Sequence, residues 1–186
     1  MEIQKNNKTW ARREGRNSNN NWASENEVGE FLYGFVRMVK PERCLEIGTF
    51  EGDGAIAIGK ALRDNKLGNL LTVDIADYGQ VEVIKKEKFG NRVVIFLEDK
   101  IIYDLIELGH QCDFIFIDDG HSYEEASRDL ENAHKLCMSN GYILGHDVVS
   151  FKTVRQAYND FLTKYGELYE KIILTSYDGL FILKKI

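Results

Sequence analysis

Short apolar runs that alternate with helical stretches are the feature that most limits the fold of this chain. Each run is nearly continuous in apolar residues, as is typical of strands buried on both faces. The repeated strand, helix, strand unit requires parallel strands with right-handed crossovers, so the pattern predicts an α/β fold. The strand-like runs span residues 43–49, 69–74, 92–99, 112–119 and 141–147, with helical stretches at about 53–65, 79–89, 101–109 and 122–138.

Further elements are predicted at both ends of this pattern. An amphipathic helix precedes the first run, with the capping-box pair Ser24 and Glu27 at its start and Pro41 at its end. Beyond the last run, another amphipathic helix leads into two strand-like runs separated by "YDG", and its Asp-Gly pair is a strong hairpin signal. We therefore expect seven strands, the last pair antiparallel, in a single domain over residues 24–186.

Length and composition fit one globular domain. With 186 residues, 44% hydrophobic and 29% charged, the chain can bury one sizeable core. It has no apolar run long enough to cross a membrane and no signal-peptide pattern, so we expect a cytoplasmic protein. Cys44, Cys112 and Cys137 are an odd number at no metal-like spacing, which indicates reduced thiols.

The first 23 residues differ from the rest of the chain in charge. The net charge of −6 argues against a protein that mainly neutralises nucleic-acid phosphates. Residues 1–22 are nevertheless basic and are bracketed by Trp10 and Trp22, which are unusual in pure disorder. We predict that residues 1–23 form either a mobile arm or a lid that orders over a ligand. The cations are Lys5, Lys8, Arg12, Arg13 and Arg16.

A glycine-bearing turn follows the first strand-like run. In an open parallel sheet, ligands bind beyond the carboxyl ends of the strands, and Gly48 and Gly52 allow a tight turn there. A dinucleotide turn favours G-x-G-x-x-G, but Phe50 occupies its second glycine position, which disfavours a nicotinamide oxidoreductase. A turn that merely permits close packing remains the alternative.

Acidic residues at successive strand ends indicate an adenosine-like ligand. Asp74 ends the second run, 26 residues after Gly48, where a carboxylate can accept hydrogen bonds from both ribose hydroxyls. Glu98 and Asp99 end the third run, and we expect them, Asp99 above all, to meet the adenine edge. A solvated loop acid or a helix cap is the alternative for any one of them.

Several segments together resemble class I S-adenosylmethionine-dependent methyltransferases. The segments are "LEIGTFEGDGA", "LLTVD", "RVVIFLED" and "FIFIDDGHSYEEASRDL…GYILGHD", and the group is similar to sugar and small-molecule O-methyltransferases with a D-x-x-H-x-Y element. The resemblance covers roughly residues 24–186. It implies a Rossmann-like sheet of order 3-2-1-4-5-7-6 with strand 7 antiparallel and helices on both faces, a homodimer, and methyl transfer from S-adenosylmethionine to an oxygen of a small hydroxylated acceptor.

The resemblance also implies the cofactor contacts. Glu46 and Gly48 would lie near the methionine end of S-adenosylmethionine, Gly52 in the same turn, and Asp74 on the ribose. The full set of predicted cofactor contacts is Glu46, Gly48, Thr49, Phe50, Gly52, Asp74, Ile75, Glu98, Asp99 and Asp118.

A second cluster follows the fourth and fifth runs. Asp118 and Asp147 end strands that we expect to be adjacent, close enough for both carboxylates to hold one divalent cation such as Mg²⁺. The residue before Asp147 is often acidic in related metal-dependent enzymes, and here it is His146, the third predicted ligand. His121, three residues after Asp118, is the predicted general base, with Asp118 also catalytic. A loop-ordering role is the alternative for His121.

Two other functions remain open at this stage. A module that binds the cofactor without turnover would show affinity for S-adenosylmethionine but methylate nothing. A nucleic-acid methyltransferase would use the basic residues of segment 1–22 and bind with a steep salt dependence, which the acidic remainder of the chain disfavours.

Overall fold

Seven strands form one sheet in the computed structural model, which describes residues 26–175 and 177–186. The strands are β1 (Arg43–Ile47), β2 (Asn69–Val73), β3 (Val93–Phe96), β4 (Cys112–Ile117), β5 (Cys137–His146), β6 (Tyr169–Leu174) and β7 (Leu180–Lys185). Their order is β3-β2-β1-β4-β5-β7-β6. β1 to β5 are parallel, and β7 is antiparallel to both of its neighbours. The predicted fold class, strand order and antiparallel strand are confirmed.

Helices cover both faces of the sheet. They are α1 (Asn26–Val39), α2 (Asp53–Asn65), α3 (Gln80–Lys86), α4 (Lys100–Glu107), α5 (Tyr123–Leu136) and α6 (Lys152–Tyr165), with 3₁₀ turns at Gly90–Arg92 and Gly166–Leu168. Successive strand side chains point to opposite faces. Leu45 and Ile47 therefore join a core with α4, α5 and α6, while Cys44 joins a core with α1, α2 and α3.

Several boundaries differ from the predictions, and the ends of β5 and β3 show why. Residues 137–138 belong to β5 rather than to the preceding helix, because Cys137 pairs with Cys112 of β4 and α5 ends at Leu136. The apolar spacing of α5 continues through Cys137, so periodicity alone could not show this change. β3 ends at Phe96, three residues before the end of its predicted run, which leaves residues 97–99 in the loop before α4.

Local interactions define the start of α5 and the connection between β6 and β7. The Ser122 hydroxyl accepts a hydrogen bond from the Glu125 backbone N–H, and the Glu125 side chain accepts one from the Ser122 backbone, which starts α5 with a capping box. β6 and β7 pair as a hairpin, and the carbonyl of Asp178 in their connection accepts hydrogen bonds from the backbone N–H groups of Val149 and Ser150. The connection between β6 and β7 is thereby attached to the loop that follows β5.

The predicted arm or lid at residues 1–23, and Ser24 of the first capping box, lie outside the described residues, so both stay predictions. Cys44, Cys112 and Cys137 are buried free thiols, as expected. Within residues 26–175 and 177–186, no helix combines the length and hydropathy that a membrane crossing requires.

Candidate active site

A cavity of about 310 Å³ opens at the carboxyl edge of the parallel strands. Three segments form it: the turn between β1 and α2 with the start of α2, the segment after β2, and the loop between β4 and α5 with the first turn of α5. Seven of the predicted site residues line it. In each of the three segments, the lining residues lie within a stretch of eight positions or fewer. The lining residues are Gly48, Thr49, Phe50, Glu51, Asp53, Gly54, Asp74, Ile75, Tyr78, Asp118, Asp119, Gly120, His121 and Glu125.

Close approach of β1 and β4 requires the glycine at position 48. Gly48 has φ 88°, and a Cβ there would overlap the backbone carbonyl oxygen of Asp118. Gly52, with φ 91°, begins α2. Both glycines occupy left-handed backbone that other residues rarely adopt. The packing explanation therefore holds for Gly48, and the same turn supplies one wall of the cavity.

The carboxylate of Asp74 holds this turn against the end of β2. Its Oδ2 accepts hydrogen bonds from the backbone N–H groups of Thr49 and Phe50, at 3.0 and 2.7 Å. Its Oδ1 accepts from those of Ile75 and Ala76, at 2.7 and 3.3 Å. A carboxylate has about four acceptor sites, so these bonds occupy nearly all of its capacity. Asp74 lines the cavity, and it also fixes the backbone that forms the wall.

A buried polar chain lies beneath the turn. Glu46 is 1% exposed, and its carboxyl accepts a hydrogen bond from the Thr72 hydroxyl, which in turn bonds the hydroxyl of Thr49. Burial raises the pKa of Glu46 well above its ordinary value of 4.5, and the bond from Thr72 opposes the rise only in part. A Cβ at Gly54 would overlap this carboxyl. Glu46 therefore lies below the cavity and does not line it.

Acidic residues on the β3 side occupy a different environment from that predicted. Neither Glu98 nor Asp99 lines the cavity, because both lie in the loop after the early end of β3.

Asp119, in the loop after β4, lines the cavity. Burial, and to a lesser extent repulsion from neighbouring carboxylates, raises its pKa to about 6. Arg128 Nη2 lies 3.5 Å from Asp119 Oδ2 and opposes that rise.

The predicted metal and base residues meet at the ends of β4 and β5. His146 Nδ1 lies 3.2 Å from Asp118 Oδ1 and 3.5 Å from Asp147 Oδ1. One potential ligand atom from each of these three residues lies within 4.8 Å of the other two. His121 Nε2 lies 2.6 Å from Asp147 Oδ2, and since a carboxylate only accepts, Nε2 donates this bond.

Charge coupling links Asp147 to the two histidines. Burial acts to raise the pKa of Asp147, but hydrogen bonds from His121 and His146 outweigh it and hold the pKa well below its ordinary value. The hydrogen bond to Asp147 raises the pKa of His121, while partial burial opposes the rise. Asp147 is therefore the ionised centre of this cluster.

The comparison with protein families decides the class of enzyme. A family described as a methyltransferase domain matches residues 45–148, which include the glycine turn, Asp74 and both acidic strand ends. The chain belongs to this family. It is a class I S-adenosylmethionine-dependent methyltransferase. A comparison with curated proteins found no match.

Solved structures with the same fold include three methyltransferases crystallised with the cofactor or its demethylated product. The Podospora anserina methyltransferase PaMTH1, bound to S-adenosylhomocysteine, shares 22% identity at a TM-score of 0.76 over 95% of this chain and 85% of its own. A Bacillus cereus O-methyltransferase with the same ligand shares 21% identity, TM-score 0.72, over 89% and 84%. TomG, an O-methyltransferase of tomaymycin synthesis from Streptomyces achromogenes, is bound to S-adenosylmethionine and shares 19% identity, TM-score 0.71, over 88% and 82%.

Several cavity residues of the methyltransferase were missed by the sequence analysis. Tyr78 packs its ring 5.2 Å from that of Phe50 at the rim, and Asp119 and Glu125 add carboxylates to the wall. Glu125 also forms the capping box of α5. The position of Tyr78, four residues after Asp74, was the available signal, because the segment after β2 borders the glycine turn.

We expect Asp74→Asn to weaken both the fold and ligand binding. An amide oxygen can replace only one carboxylate oxygen, and the amide NH₂ would face two backbone N–H donors, so we expect a loss of roughly 2 kcal/mol in the free energy of unfolding. S-adenosylhomocysteine should bind at least about 10-fold more weakly by calorimetric titration. The matched control is Asp104→Asn, because Asp104 forms an ion pair with Lys100 on the surface of α4. This variant should leave the unfolding free energy and the affinity for S-adenosylhomocysteine unchanged. Unaltered binding of S-adenosylhomocysteine in Asp74→Asn would contradict the prediction that Asp74 binds the ribose of the cofactor.

We expect Glu46→Gln to be increasingly more stable than the wild type as pH rises above about 4.5. The folded-state pKa of Glu46 is raised above its value in the unfolded chain. When the pH exceeds the unfolded-state pKa, the unfolded chain releases a proton that the folded chain keeps. The wild type therefore loses stability as pH rises, whereas glutamine does not titrate. The difference in unfolding free energy should grow by up to about 1.4 kcal/mol per pH unit. Denaturant titrations between pH 4 and pH 8 measure it, and a constant difference would show that Glu46 ionises normally.

Proposed function

We propose that this methyltransferase transfers the methyl group of S-adenosylmethionine to a hydroxyl oxygen of a small acceptor, sugar-like or natural-product-like. The observation that carries the proposal is the position of His121, which lines the cavity and is held by Asp147. A base at this point can take the hydroxyl proton as the oxygen attacks the methyl carbon.

In the proposed complex, the cofactor occupies the cavity beside the glycine turn. Thr49, Phe50 and Ile75 would contact it, while Asp74 would share its acceptor oxygens between the turn and the ribose. The weakest of its four backbone bonds, 3.3 Å from Ala76, is the one most readily exchanged for a ribose hydroxyl. Asp119 and Tyr78, which line the wall, are added to the predicted contacts, and Glu98 and Asp99 would reach the adenine only if their loop moves.

The proposed reaction is a single displacement. The acceptor O–H bond breaks, a new O–CH₃ bond forms as the CH₃–S⁺ bond breaks, and S-adenosylhomocysteine leaves. Since Nε2 of His121 donates to Asp147, the remaining ring nitrogen, Nδ1, would accept the hydroxyl proton. Much of the rate would come from holding oxygen, carbon and sulfur in line.

The donor set of Asp118, His146 and Asp147 supports a divalent-metal proposal. Two carboxylates and one imidazole can converge on one ion, because their ligand atoms lie within 4.8 Å of one another. A bound metal would lower the pKa of an acceptor hydroxyl and orient its oxygen. Mg²⁺ prefers oxygen ligands, whereas imidazole suits transition metals, so we propose that His146 shifts the preference from Mg²⁺ towards an ion such as Mn²⁺.

The charge of the cavity wall supports an acceptor that is neutral or cationic. Six lining residues are Asp or Glu, and none of the described lining residues is Lys or Arg. A cavity walled by one sign of charge concentrates ligands whose net charge is of the opposite sign and repels ligands with a net negative charge. This wall supports a small-molecule acceptor over nucleic acid.

The three buried free thiols support the proposed cytoplasmic location, because disulfides are rare in that compartment. The homodimer stays a prediction.

We expect methyl transfer to catechol acceptors to follow their charge. With labelled S-adenosylmethionine, dopamine and 4-methylcatechol should be methylated at higher kcat/KM than 3,4-dihydroxyphenylacetate, because the anion is repelled by the wall. His121→Gln should lower kcat by about 10²-fold or more while S-adenosylhomocysteine binding is unchanged. S-adenosylhomocysteine binding without methylation of catechols or a panel of sugars and phenols would instead favour a non-catalytic module.

Calorimetric titration of the S-adenosylhomocysteine complex should show tighter binding of Mn²⁺ than of Mg²⁺. His146→Asp should narrow or reverse that preference, because it replaces the imidazole ligand by an oxygen ligand. His110→Asp, a substitution of an exposed histidine after α4, is the control and should leave both affinities as in the wild type. Equal affinities in the wild type, or no binding of either ion, would exclude the proposed role of His146.

A further inference from the structure

One short segment holds His121 from several sides. Residues 147–153 comprise the link between β5 and α6 and the first two residues of α6, and they contain Asp147, Phe151 and Thr153, each of which contacts His121. Asp147 binds Nε2 of the ring, and the hydroxyl of Thr153 donates to the backbone carbonyl of His121 at 2.5 Å. These two contacts fix one ring nitrogen and the backbone of His121. They do not fix the plane of the imidazole ring, which requires a third contact.

The ring of Phe151 supplies that third contact. It lies parallel to the imidazole of His121, with ring centroids 3.9 Å apart and planes inclined by 13°. The χ2 torsion of a histidine is broad, so a single hydrogen bond on one ring nitrogen leaves the ring free to rock. A stacked aromatic surface restricts that motion, because tilting the imidazole would drive it into the neighbouring ring.

The backbone of Phe151 is itself held at both polar groups. Its N–H donates to the carbonyl of Asp147 at 3.1 Å, and its carbonyl accepts from the N–H of Arg155 at 3.0 Å in the first turn of α6. Its side chain also packs on the core beneath α5 and α6. The stacking surface is thus attached to regular structure rather than to a free loop.

We propose that Phe151 is a positioning residue for methyl transfer, which fixes the imidazole plane of His121 towards the acceptor. The inference rests on the proposed role of His121 as the base. In-line transfer tolerates only small misplacement, and displacement by about 1 Å can cost on the order of 100-fold in rate. Phe151 does not touch the reacting atoms, so it acts only through His121.

Nuclear magnetic resonance of the full chain labelled with [¹⁵N]histidine tests the orientation without an acceptor. In the S-adenosylhomocysteine complex, the ring protons of His121, assigned through the His121→Gln spectrum, should be shifted upfield by the stacked Phe151. Phe151→Leu should abolish this shift, while Phe151→Tyr should keep it. Unchanged His121 signals in Phe151→Leu would overturn the proposal.

Phe161→Leu is the matched control for loss of packing. Phe161 lies on α6 and is buried in the same core, but its ring contacts are with His134, Tyr165 and Tyr169. We expect this variant to lose stability and leave the His121 signals as in the wild type. Equal changes in the His121 signals of both variants would assign the effect to general packing and contradict a specific role for Phe151.

Kinetics with dopamine as acceptor separate this inference from the proposed function. Phe151→Leu should lower kcat by up to about 100-fold at unchanged KM for S-adenosylmethionine, and Phe151→Tyr should restore most of it. In a His121→Gln background, Phe151→Leu should cause no further loss. Full additivity would overturn the positioning role, whereas wild-type turnover in His121→Gln alone would overturn the proposed function and leave the resonance result standing.

Discussion

The carboxylate of Asp74 is the interaction on which the rest of the site depends. It joins the end of β2 to the turn after β1 through four backbone hydrogen bonds, two from each segment. Backbone N–H groups that are buried without a partner are costly, and here one carboxyl side chain accepts hydrogen bonds from four of them. The turn can therefore stay open towards the cavity without collapsing onto the sheet.

The opposite side of the cavity depends on the same strand ends. Gly48 allows the end of β1 to lie against the carbonyl of Asp118, so the loop after β4 is held close to the turn. That loop carries Asp118 and His121 towards β5, where Asp147 meets both histidines of the cluster. Three neighbouring parallel strands thus bring together residues that lie far apart in the sequence.

The sequence predicted the elements of the sheet because buried parallel strands are continuous apolar runs, and its strand order came from the family resemblance. Asp74, Asp118 and Asp147 could be placed at the site since each lies at the end of such a run. Glu98 and Asp99 were expected beside the ligand, but β3 ends early at Phe96 and they do not line the cavity. The stacking of Phe151 on His121 could not be predicted, because contacts between two loops depend on backbone paths that have no periodic pattern.

The connection between β6 and β7 is attached to the loop that contains Asp147. Its Asp178 carbonyl bonds Val149 and Ser150, and a Cβ at Gly179 would overlap Val149, so this connection packs directly on the segment that holds His121. The carboxyl-terminal hairpin is therefore no dispensable appendage to the sheet. A partner or fusion that strains this hairpin would therefore displace the loop on which the imidazole of His121 rests, although the hairpin does not contact that ring.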